Sequence, residues 1–330
     1  MQFIGVLALA LVVVAFPRAT PAAAESVFHL QREFPLTDFG KRSIHLRDIF
    51  TGLPRRDTFP TIYQPKFAPV AEVMDVGPLE PVLSVGINGD FRAYPLRILL
   101  YHELVHDEVG GVPILVTYCP LCNSGVVYDR RLDGKVLEFS NTGRLRHYDM
   151  VIYDRGTESW WQQFLGEAII GEHTGRRLEA LPARLESLSR FRDRAADGRV
   201  LVPDDPGARP YGLTGNAGTD SLPPALARER YPFDLPSEVS PLARLVVVGD
   251  EAWTVELLKE RGRIESGQLV LTWEPGQNSL HDTRVIAESR DVGNVTVQRR
   301  TASGLEDVPY DVSFAFAFSA FVPGGTLHLE

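Results

Sequence analysis

The chain's only two cysteines, Cys119 and Cys122, stand three positions apart in the middle of a hairpin-like pattern. Pro113-Ile114-Leu115-Val116-Thr117-Tyr118 leads in, and Val126-Val127-Tyr128-Asp129 leads out. Pro120 lies between the sulfurs, and Asn123-Ser124-Gly125 follows them as a turn. Runs rich in β-branched residues on either side of turn residues predict strand, turn, strand, with both thiols at the tip. A thiol pair held close by tight backbone suits redox chemistry or metal binding.

Three uses of the pair are open from the residues alone. A thioredoxin-type site places its first thiol at a helix N-terminus, where the dipole stabilises thiolate. Here a turn and a strand follow, which argues against that architecture and leaves a disulfide switch on another scaffold. A metal knuckle needs further ligands from His, Asp, Glu or solvent, because no other cysteine exists. A structural disulfide closing so small a loop would remove little unfolded-state entropy.

With 330 residues and 44% hydrophobic content the chain can build one large core or two smaller ones. Its formal net charge of -9 offers no basic excess for a nucleic acid partner. Residues 1–24 read as a signal peptide, with an apolar run from Phe3 to Phe16 and small residues Ala22-Ala23-Ala24 for cleavage. The expected location is therefore periplasmic or secreted, with an uncleaved membrane anchor as the alternative. No later run is long enough for a membrane helix, so no integral span is expected in the mature chain.

Residues 25–74 carry many turn signals and read as an extended strap. Residues 75–200 read as the cysteine-bearing α+β domain. Within it a hairpin turns at Asn88-Gly89, and a helix runs from Leu96 through His106. Pro182 to Ala196 reads as an amphipathic helix. Residues 201–241 are a Pro/Gly-rich connection. Residues 242–330 echo the order hairpin, helix, strand around the cysteines, with Glu274-Pro275-Gly276-Gln277 where the thiols would be. The expectation is an α+β fold, mainly antiparallel β with short helices, in two related halves of which the second is a degenerate copy without cysteines.

His102-Glu103-Leu104-Val105-His106 matches H-E-x-x-H, which on a helix would bind zinc for peptide hydrolysis. The extended form of that motif needs glycine and histidine where this chain has Val109 and Val112, so a metallopeptidase is disfavoured. His102 could instead reach the thiols as ligand or proton partner. Between Gly143 and Gln163, polar groups interleave with aromatics, a pattern that could line a pocket beside the cysteines. His147 and Met150 there would suit copper. No phosphate-binding glycine loop, nucleophile elbow or dinucleotide fingerprint occurs.

Tyr94-Pro95-Leu96-Arg97, His102-Glu103, Val116-Thr117-Tyr118-Cys119-Pro120-Leu121-Cys122-Asn123, Tyr153-Asp154-Arg155, Thr157-Glu158-Ser159 and Trp161 with Gln163 together resemble the bacterial domain-of-unknown-function family numbered 3179. The resemblance covers most of the mature chain. It implies an exported protein without an established activity, and kinship with selenoproteins, which favours redox chemistry. The family usually has Asn where this chain has His106, and Asn-Ser where it has His147-Tyr148. The site residues expected are Cys119, Cys122, His102 and Glu103 for chemistry, with Tyr118, Asp149, Trp161 and Gln163 around a bound group. The leading expectation is a dithiol/disulfide site that exchanges with a periplasmic redox partner, His102 tuning the thiolate and Glu103 orienting His102. The alternatives are copper or zinc held by Cys119, Cys122 and His102, or a non-catalytic envelope module with a structural disulfide.

Overall fold

The structure, a computed structural model, describes residues 27–330, so the signal-peptide segment lies outside the described residues. The fold is α+β and mainly antiparallel β, with short helices between small sheets. The thiol hairpin forms as the residue pattern predicts, from strands Val112–Cys119 and Ser124–Asp129. These two strands sit in the middle of a sheet flanked by Ala180–Leu181 and Leu104–Val109.

The pleat sends successive side chains to opposite faces. Ile114, Val116, Tyr118 and Val127 enter one core cluster with Leu83, Val85 and Tyr94. Leu115, Cys119 and Tyr128 enter another with Trp161, Met150 and Phe316. Burial on both faces accounts for the nearly continuous apolar character of the hairpin.

Two features differ from the pattern-based expectation. The helix after Pro95 spans only Leu96–His102, because Glu103 caps it at φ 58°, and the chain then turns into strand Leu104–Val109. The predicted helix from Pro182 divides into strand Arg184–Ser187, paired with Pro81–Ser84, and helix Leu188–Arg194. An edge place beside Pro81–Ile87 overrides the helical periodicity of those four residues.

Two sheets share a run of four strands in the same order, the first carrying Lys66–Pro69 as a fifth strand at its edge. In the first, Arg184–Ser187, Pro81–Ile87, Asp90–Pro95 and Arg199–Val202 lie side by side, the last pair parallel. In the second, Asp311–Phe314, Arg244–Val248, Glu251–Thr254 and Thr326–His328 do the same, again with the last pair parallel. Each central hairpin leads into a helix, Leu96–His102 or Val255–Arg261, and then into a second antiparallel sheet. Strand Leu269–Glu274 takes the place of Val112–Cys119. Residues 275–293 connect Leu269–Glu274 to Asn294–Thr301, as the short loop 120–123 connects Val112–Cys119 to Ser124–Asp129.

The strap packs on a further five-stranded sheet that contains Phe139–Arg146 and Asp149–Asp154. Leu30, Phe34, Phe39 and Ile49 cover Tyr153, Trp160 and Ile170. Full burial of a Phe side chain such as Phe34 contributes about 2–3 kcal/mol. Glu33 pairs with Arg144 at 2.6 Å across this contact.

Candidate functional site

Two turns bring the site together. The first is loop 120–123, closed by Asn123 at φ 54°. The Asn123 side chain accepts from Tyr118 Oη at 3.1 Å and donates to the Val312 carbonyl at 2.8 Å. The second joins Phe139–Arg146 to Asp149–Asp154 through His147 and Tyr148, at φ 50° and 65°. Two successive positive φ values define a type I′ hairpin turn, which favours Asn-Gly and costs energy for bulky residues. This turn delivers the Tyr148 carbonyl and the Asp149 carboxylate to the thiols.

Cys119 Sγ and Cys122 Sγ are free and 3.5 Å apart. Cys122 Sγ lies 3.3 Å from the Tyr148 carbonyl oxygen and 3.4 Å from Asp149 Oδ1. Cys119 Sγ is 3.8 Å from the same carbonyl. The two sulfurs and the Asp149 carboxylate all lie within 4.8 Å of one another, and all three residues are buried. Asp149 Oδ2 accepts from Gln162 Nε2 at 2.5 Å and from the Phe164 amide at 3.0 Å.

Burial dominates the electrostatics of this group. It raises the Asp149 carboxyl to about 6, against the hydrogen bonds it accepts. It raises the Glu103 carboxyl to about 8, against a hydrogen bond from Asn141 Nδ2. Both thiols are also pushed up, first by burial and further by Asp149. Glu103 adds to the rise at Cys119. Asp149 thus repels the charged forms of both thiols and of Glu103, and Glu103 that of Cys119, so each holds its proton more tightly.

The other anticipated residues fall into two sets. Glu103 borders the group electrostatically, and its carbonyl accepts from the Tyr118 amide at 2.9 Å. Gln163 donates to Thr117 Oγ1 at 2.8 Å, and its Oε1 has no hydrogen-bond partner among the described residues. Trp161 packs on Phe139 and donates to Asp154 Oδ2 at 3.1 Å, so its polar edge is committed away from the sulfurs. Tyr118 points to the opposite core.

His102 stands apart from the thiols. Its Nδ1 lies 2.7 Å from the Pro60 carbonyl and its Nε2 lies 3.0 Å from Tyr211 Oη. The turn at Glu103 is the reason: it ends the helix and aims the next strand, but not His102, at the cysteine hairpin. The same turn puts His106 on a strand, bonded to the Phe139 carbonyl at 3.0 Å, so the two histidines do not share a helix face. His147 packs edge-on against Phe233 and Phe321.

Gln162, Asn141 and the Tyr148 carbonyl escape sequence reasoning. Gln162 carried one available signal, a polar residue in an otherwise aromatic strand facing the strand that bears Asp149. A main-chain carbonyl carries none.

The fold and the site together define a mainly antiparallel α+β protein with a buried thiol–carboxylate group at its centre. Residues 56–325 match the model of the family described as "Protein of unknown function (DUF3179)", and the chain belongs to that family. No curated protein and no solved structure matches the chain.

Proposed function

We propose that Cys119, Cys122 and Asp149, with the Tyr148 carbonyl, bind a thiophilic divalent metal ion, zinc before copper. The spacing of the donors carries this reading. A tetrahedral zinc site with ordinary bond lengths sets two thiolate sulfurs about 3.8 Å apart, and a sulfur and an oxygen about 3.5 Å apart. The corresponding separations here are 3.5 Å between sulfurs, and 3.3 and 3.4 Å from Cys122 Sγ to its two oxygens. A mixed thiolate and oxygen set suits zinc better than copper, which thiolates alone would favour. A divalent cation would also offset the charge of the buried carboxyl and thiol groups, and its binding would release their protons.

A second reading, dithiol/disulfide exchange with a periplasmic redox partner, is supported by the same proximity. A disulfide needs its sulfurs at about 2.05 Å, a short approach from 3.5 Å on so tight a loop. Neighbouring carboxyls oppose the thiolate that exchange requires, which ranks this reading second. Export is supported by the Phe3–Phe16 run. Among the described residues no helix is long and apolar enough to cross a membrane. The shared strand order supports a duplication in which one half kept the thiols.

The test is anaerobic purification of the mature protein, metal analysis, and titration with Co(II) while thiolate-to-metal absorption is recorded. One bound ion per chain, lost in Cys122→Ser, is expected. A protein that takes up no metal, or one whose uptake survives Cys122→Ser, overturns the metal reading. A reversible disulfide near glutathione potentials in such a protein would establish the second.

A further inference from the structure

The thiol loop is held from the other half of the molecule. His281 lies in segment 275–293, the counterpart of loop 120–123 in the strand order. Its Nε2 is 2.7 Å from the carbonyl oxygen of Pro120, the residue that follows Cys119. A carbonyl can only accept, so Nε2 carries the proton and donates. The imidazole is buried, stands edge-on to Phe314 with centroids 4.9 Å apart, and its Nδ1 has no hydrogen-bond partner among the described residues. Burial, abetted by Arg244, holds the ring neutral, its pKa down at about 4. An unpaired buried acceptor costs stability, so packing alone is a poor reason for a histidine here.

The consequence lies in the loop's backbone. Fixing the Pro120 carbonyl fixes the plane of the Pro120–Leu121 peptide, which lies between the two cysteines and helps set the 3.5 Å separation of their sulfurs. A loop held in that geometry presents both sulfur donors already in place for a metal. Three further bonds from the second half grip the same hairpin: the Phe314 amide to the Cys122 carbonyl at 2.8 Å, Asn123 Nδ2 to Val312, and the Gly125 amide to Asp311 Oδ1 at 2.9 Å.

We propose that His281 is a positioning residue for the thiol site: by donating to the Pro120 carbonyl it holds the loop in which Cys119 Sγ and Cys122 Sγ stand 3.5 Å apart. The inference rests on the site described under Proposed function. It assigns the second half a direct part in the chemistry of the first.

The test compares His281→Leu, which cannot donate, with His281→Gln, whose amide can donate from nearly the position of Nε2. The first measurement is the amide proton shift of Cys122 in the reduced, metal-free protein, which reports the backbone geometry of the loop after Pro120 and needs no metal. His281→Leu should shift it and His281→Gln should restore it. The second is Co(II) affinity, which should fall by about tenfold or more in His281→Leu, as for other residues that orient metal ligands, and recover in His281→Gln. A Cys122 amide unmoved in His281→Leu overturns the inference, whatever happens to melting temperature. Absence of Co(II) absorption in the wild type overturns the metal reading alone and leaves the amide shift to decide on His281.

Discussion

Replacing Asp149 by Asn should make the metal-free protein more stable and a worse metal binder. Asp149 is fully buried, and its carboxyl is raised from 3.8 to about 6 by desolvation. A carboxyl raised in the folded state holds its proton more tightly there than in the unfolded chain. Stability is therefore lost as pH climbs from the unfolded value through the folded one, and the loss is complete above it. A difference of about 2 pKa units corresponds to about 3 kcal/mol at neutral pH. Asn keeps the shape, and its carbonyl can accept from Gln162 Nε2 and the Phe164 amide as Oδ2 does. Urea unfolding of reduced, metal-free protein should find Asp149→Asn about 3 kcal/mol more stable near pH 7.5, the gap closing to less than about 1 kcal/mol near pH 4. Saturating Zn(II) should reverse the order, because the wild type gains stability from an ion that the variant binds poorly. A variant no more stable than wild type near neutral pH, or a gap that ignores pH, refutes the argument that Asp149 is a desolvated carboxylate awaiting a cation.

Glu103→Gln should open a similar gap over a higher window, from about pH 4.5 to about pH 8, exceeding that of Asp149→Asn because the shift is larger; stability curves that stay parallel above pH 5 would refute it. His102→Ala should cost about 2 kcal/mol for its two hydrogen bonds and leave Co(II) affinity unchanged; a loss of metal would return His102 to the site. Gly143→Ala should cost about 3 kcal/mol, because Gly143 sits at φ 73° and a Cβ there would lie 2.7 Å from the Arg55 carbonyl oxygen; thermal unfolding reads the loss.

The legible parts of the fold were those set by local pattern. The apolar, β-branched run in 112–119 and the turn residues after it mark the hairpin whatever surrounds it. Asp149 is legible through the family resemblance, whose pattern it matches, and not from its own strand. His102 misled because chain order was taken for proximity. A single backbone angle at Glu103 ends the helix and separates His102 from the strand that reaches the thiols. Arg184–Ser187 is too short to declare a strand, and only its partner Pro81–Ser84 makes it one. His281 was invisible for a related reason: its partner is 161 positions away, and nothing near it in the chain marks it.

That residues late in the chain hold the thiol loop bears on when the site can exist. A ribosome delivers Cys119, Cys122 and Asp149 long before His281 and Asp311–Phe314. Until those late residues arrive, the loop between the cysteines has its donors but not its grip. The loop is gripped last although its thiols are made early, so on the proposed reading a metal held in the final geometry would report that the whole chain has folded. A truncated or stalled chain would keep reactive, ungripped sulfurs open to oxidation.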